Sequence, residues 1–112
     1  MDARGVQRLL EKTQGMAETA EHVGMRNAEM MQREPHLSAA AKAKLARLYR
    51  EHALRVMKLY ATLGLEICDT VRDELDDDPA RGQLDLFRAN FVSLTERAAA
   101  SLREPDESAE SG

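Results

Sequence analysis

Three histidines, one cysteine and 20 acidic residues are the groups in this 112-residue chain that could do chemistry. Glu18 and His22 stand one helical turn apart, a spacing that lets two side chains share a metal ion. Folding of the chain back on itself brings His52 to a similar height. Helical phase opposes a shared site, however. Glu18 and His22 fall on the outer side of the helix that carries them, whereas His52 falls on an apolar stripe and is expected to be buried and hydrogen-bonded. His36 lies in the connection between two helical segments and reads as a residue of the helix start. Cys68 lies on a stripe of small residues without a basic partner, the setting of a buried, inert thiol and not of a nucleophile. Being alone, it makes no internal disulfide.

Carboxylates form a second constellation, Glu18-Thr19-Ala20-Glu21 and Glu66-Ile67-Cys68-Asp69. The two tetrapeptides resemble the ExxE and ExxD motifs of the all-α nucleotide pyrophosphohydrolases, in which four carboxylates on paired helices hold magnesium against a triphosphate. The resemblance is confined to these short segments, and it implies a magnesium-dependent hydrolase with Glu18, Glu21, Glu66 and Asp69 as metal ligands. The chain departs from that pattern in three ways. The gap between the motifs is much longer than the family's, antiparallel packing is expected to bring Glu18 level with Ala53 and not Glu66, and Glu18, Glu21 and Asp69 face outward. No glycine-rich phosphate loop is present, since Gly5, Gly15, Gly24 and Gly64 are isolated within helical patterns, and no nucleophilic triad is visible. The sequence therefore points to a protein without catalytic residues or cofactor. Glu18, His22, His52, Glu66 and Asp69 are the only candidates for a metal.

The elements that position these residues are punctuated by Pro35, Pro79 and Pro105. Between the prolines the chain is rich in Ala, Leu, Glu, Arg and Met, all good helix formers, and lacks any strand-like alternation. A first helix is expected over residues 3–33, with Asp2 as N-cap and an end set by the geometry that Pro35 imposes on the residue before it. A second should run over 38–75, started by Ser38. A third should run over 79–103, because Asp78 supplies a capping oxygen ahead of a proline whose missing N–H costs nothing at the first helical position. Residues 1–104 then form a single helical domain and 105–112 an acidic, disordered tail.

Short connections fold the first and third helices back along the second, which gives an all-α, elongated antiparallel three-helix bundle about 55 Å long at 1.5 Å per residue. In the first helix Val6, Thr13, Ala20 and Asn27 occupy a positions of a heptad, Leu9, Met16, Val23 and Met30 the d positions, and Leu10, Ala17, Gly24 and Met31 the e positions. Together these three rows make one seam. The third helix carries a narrower stripe of Leu84, Phe87, Phe91, Leu94, Ala98 and Leu102. The second helix has two stripes. Leu45, Leu48, Tyr49, His52, Val56, Leu59, Tyr60, Leu63 and Ile67 read as a core face, and Ala46, Ala53, Met57, Ala61, Gly64, Cys68, Val71 and Leu75 as a small-residue face for close backbone approach. Leu54 and Leu65 fall outside both and are expected at the surface, where they could make contacts with a partner.

Charge limits the choice of partner. A net charge of −4 leaves no basic face with which to neutralise phosphates, which argues against nucleic acid. The longest uncharged apolar run, Leu59 to Leu65, is far too short to cross a membrane. Without a secretory h-region at the N-terminus, the expected location is cytoplasmic. Basic residues occupy the first half of helix 2, Lys42, Lys44, Arg47, Arg50, Arg55 and Lys58, and acidic ones its end, so Arg81 and Arg88 of helix 3 are expected beside that acidic end. Met25, Met30 and Met31 offer an adaptable apolar surface. The expected function is therefore a non-enzymatic protein-interaction module (an adaptor, chaperone-like factor or regulatory subunit) that forms a homodimer, with Leu54, Leu65, Met25, Met30 and Met31 as its contact residues.

Overall fold

A computed structural model describes residues 3–75 and 78–103. Three helices account for nearly all of them: α1, Ala3–Gln32; α2, Ala39–Val71, prolonged by one 3-10 turn at Arg72–Glu74; and α3, Asp78–Arg103. The described residues include no strand. Asp2 and residues 105–112, for which a cap and a disordered tail were expected, lie outside the described residues.

Local chemistry accounts for the breaks. Ser38 is extended, and its Oγ accepts from the Ala41 N–H at 3.1 Å while its carbonyl accepts from Lys42 N–H at 3.0 Å, which satisfies donors that the start of α2 leaves unpaired. Leu75 ends the 3-10 turn with an N–H donated to Arg72 O and an extended backbone. Its own carbonyl accepts from Arg81 Nε of α3.

The helices are antiparallel neighbours in a rod measuring 58 × 24 × 16 Å. Val6 and Leu10 near the start of α1 share one apolar recess with Leu75, Ala80, Leu84 and Phe87, where α2 ends and α3 begins. Farther along, Gly24 of α1 lies against Ala53 and the Tyr49 carbonyl of α2. Gly24 thus meets Ala53, where Glu18 had been expected; the absence of a side chain on Gly24 allows this close approach and shifts α1 along α2 by more than a turn. Eleven residues on, nearly in line with Ala53 on the same face of α2, Gly64 receives the ring of Phe91, itself fully buried. A methyl group at either glycine would overlap its neighbour.

Which faces turn inward differs from the expectation. In α2 the small-residue stripe is the interior: Ala46, Ala53, Met57, Ala61, Gly64, Cys68 and Val71 are buried. The stripe read as the core face is largely outside, with Leu48, Tyr49, His52, Leu59 and Leu63 exposed and Leu45, Val56, Tyr60 and Ile67 half-buried. In α1 the buried rows are a and e, Val6, Leu10, Thr13, Ala17 and Gly24, while the d row is exposed. Small residues win the interior because they let α1 approach α2 at Gly24 and Ala53 and let the Phe91 ring of α3 sit on Gly64, whereas bulky stripes would hold the helices apart. Leu84, Phe91, Leu94 and Ala98 are buried and Phe87 and Leu102 half-buried, as the stripe of α3 requires.

Charges at the C-terminal end of α2, the unfavourably placed Asp69 and the favourably placed Arg72, find partners on α3. Arg88 Nε lies 3.1 Å from Asp69 Oδ1, and Arg72 lies 3.5 Å from Asp85. These exposed pairs contribute a fraction of a kcal/mol up to about 1 kcal/mol each.

Candidate functional site

The carboxylates and histidines are separated by the fold. Glu21 is held by Arg97 of α3, whose Nη2 donates to both carboxylate oxygens at 3.0 and 3.2 Å. Asp69 is held by Arg88. Glu18 accepts from Gln14 Nε2 at 3.2 Å within α1. Glu66 is exposed on α2, and its backbone carbonyl, not its carboxylate, accepts from Thr70 Oγ1. Arg97 and Arg88 therefore take up one carboxylate of each tetrapeptide at different heights of the rod. His22, His36 and His52 are all exposed. For His52 this corrects the expected burial: it sits on the α2 stripe that faces outward. Among the described residues no three or more His, Cys, Asp or Glu side chains converge on a point that could hold a metal ion.

Cys68 is in the core, 1% exposed, with its thiol directed at the Leu84 carbonyl at 4.0 Å. Burial, reinforced by the neighbouring Asp69 carboxylate, pushes its pKa from 9.0 up to about 11. At neutral pH it is a protonated, inaccessible thiol, unsuited to nucleophilic attack.

The residues named as an interaction surface are dispersed. Leu54, expected at the surface, is 7% exposed and belongs to the core, because α3 packs over that side of α2 and turns it inward. Leu65 is half-buried against the same core. Met25 is exposed and borders a cleft of about 200 Å³ with Glu21, Arg50, Leu54 and Ser101, on the α3 side of the molecule. Met30 is exposed on the opposite flank of α1, and Met31 is half-buried.

A different surface emerges from the two stripes left outside. Leu9, Met16, Val23 and Met30 of α1 follow each other at intervals of seven and are each between 43 and 56% exposed. Beside them run the exposed residues of α2, with Leu59 the most open at 68%. Tyr60 joins the two rows: it lines one shallow groove of about 440 Å³ with Lys12, Met16, Ala20 and Val23. The α2 stripe lies about a quarter turn from the buried one at 100° per residue, on the side away from Leu54 and Gly64, which α3 covers. One face of the α1–α2 pair is thus apolar along most of the rod and, among the described residues, is covered by no other element. Leu86 of α3, 69% exposed, stands apart from it, and a single exposed leucine needs no explanation.

Periodicity could have located this surface, because Leu45, Tyr49, His52, Val56, Leu59 and Leu63 repeat at four-three spacing, the a/d rhythm of a coiled-coil seam. That rhythm was legible, but it read equally well as a seam within the chain. Among the described residues, no helix is long and apolar enough to cross a membrane. Comparison with protein-family models, curated proteins and solved structures finds no match.

Proposed function

We propose that this chain is a non-enzymatic helical interaction module, acting in the cytoplasm without a cofactor, and that the uncovered face of α1 and α2 is where it binds protein. The observation that carries this reading is the apolar row pair itself. Taking about 200 Å² for a large apolar side chain, the exposed parts of Leu9, Met16, Val23, Leu48, Tyr49, Leu59 and Leu63 amount to roughly 700 Å². Free-standing chains rarely leave a contiguous apolar patch of more than a few hundred Å² in water, and patches of that size mark contact surfaces. The hydrolase alternative finds less support, since Arg97 and Arg88 hold two of its four carboxylates.

A photo-crosslinking amino acid introduced in the native host tests the reading directly. Placed at position 59, it is expected to give protein adducts; placed at position 96, on an exposed site of α3, it is not. Equal labelling from the two positions, or none from position 59, would refute the assignment of this face. The adduct masses also separate a second copy of the chain from a different protein.

A further inference from the structure

We infer that the occupant of this face is a second copy of the same chain, packed antiparallel about a two-fold axis that passes near Val56 and Leu59. The inference rests on the reading of the α1–α2 face as a contact surface and adds to it the identity and direction of the partner.

Three observations carry it. The first is area. The roughly 700 Å² of exposed apolar side chain approaches the ~800 Å² that each partner contributes to a standard protein–protein interface. The second is the rhythm of the seam. From Leu45 to Leu63 the exposed stripe of α2 keeps a/d spacing, and an identical stripe on another copy is the surface that such a seam fits, with knobs entering holes on both sides. Joining two α1–α2 pairs this way builds a four-helix core and leaves each α3 outside. The third is charge. At the Ser38 end of the stripe stand Lys42 and Lys44, and at its other end Glu66 and Asp73. An isologous antiparallel pairing sets the basic end of each α2 against the acidic end of its copy, twice per dimer. A parallel pairing sets like against like at both ends. Setting Lys42 of one copy opposite Asp73 of the other puts Val56 opposite Leu59 of the copy and Leu63 opposite His52, which makes the histidine part of the contact and accounts for an imidazole in an otherwise apolar row.

The purified 112-residue chain decides the matter. Light scattering after size exclusion at tens of micromolar is expected to give twice the 12.5 kDa chain mass, and Leu59→Asp to weaken the dimer at least tenfold while far-ultraviolet circular dichroism stays helical. Orientation follows from single cysteines in a Cys68→Ala background, treated with a short bis-maleimide. Leu59→Cys, near the axis, is expected to cross-link to its copy. Leu48→Cys is not, because in the antiparallel register the two positions lie roughly 30 Å apart along the axis at 1.5 Å per residue. Should Leu59→Cys fold poorly, Val56→Cys serves in its place. A monomer at that concentration overturns the second-copy inference, and position 59 capturing a different protein in the host would then leave the interaction-module reading standing. A dimer that cross-links at both positions, or at position 48 alone, or at neither, overturns the antiparallel arrangement.

Discussion

Cys68 shows how a reactive group is made inert by its surroundings. Its thiol is enclosed where α2 and α3 meet, within reach of the Leu84 carbonyl, and its thiolate would be both desolvated and repelled by Asp69. A thiol whose pKa is raised in the folded state stabilises the fold fully below its unfolded pKa of 9.0, and that contribution is lost as pH rises through about 11. Thermal unfolding followed from pH 8 to 11 is therefore expected to show wild type losing on the order of 2 kcal/mol relative to Cys68→Ala. Parallel curves for the two proteins would contradict the burial of the thiol. The histidines illustrate the opposite case, since all three are exposed and, among the described residues, none joins other His, Cys, Asp or Glu side chains in a group of three or more that could hold a metal ion. Glu18, Glu21, Glu66 and Asp69 repeat a metal-binding spacing, but two of them are held by arginines that only folding brings near, Arg97 lying 76 residues from Glu21.

Between helices, glycine has opposite effects at different positions. Gly24 faces α2 and Gly64 faces α3 at close range, and neither has room for a Cβ against Ala53 or Phe91. A Cβ added at Gly82 would meet no side chain or other helix within 4 Å. Alanine is the better helix former by about 1 kcal/mol, so Gly82→Ala is expected to stabilise by up to that amount. Gly64→Ala and Gly24→Ala are expected to destabilise by about 1–3 kcal/mol, as overpacking overrides the propensity gain. Urea melts of the three variants measure the contrast, and stabilisation by Gly64→Ala would show that α3 does not dock where described. Helix boundaries were legible to within a residue or so because their signals are local: Ser38 caps α2, and α3 begins at Asp78, one residue before the start expected at Pro79. The register between α1 and α2 was not, because it depends on where two small residues meet, and sequence spacing alone had set Glu18 level with Ala53.

At the scale of the molecule, a rod 58 Å long and 16 Å in its thinnest dimension cannot enclose both apolar stripes of its central helix. Ser101, near the end of α3, borders a cleft with Arg50, Ala53 and Leu54, and α3 ends two residues later at Arg103, so among the described residues the end of the rod near Ser38 is built of α1 and α2. Fewer buried contacts mean a lower local opening free energy. Amide exchange across residues 39–50 is accordingly expected to be at least tenfold faster than across residues 57–68, measured by mass spectrometry of peptides from the native protein. Uniform protection along α2 would contradict this picture of a thin end.

What the sequence by itself determined was the number of helices, their approximate ends, their antiparallel order and the elongated shape. Prolines, caps and short connections act over a few residues and leave little choice. It also showed that α2 is apolar over more than half its circumference. Only the tertiary structure decided which of its two adjacent stripes goes inside, and with it whether Leu54, His52 and Leu59 lie in the core or in water. Periodicity measures how apolar a face is but not how closely another backbone can approach it. Close approach at Gly24 and Gly64, with the Phe91 ring seated on Gly64, gave the interior to the small residues and left the larger ones facing outward.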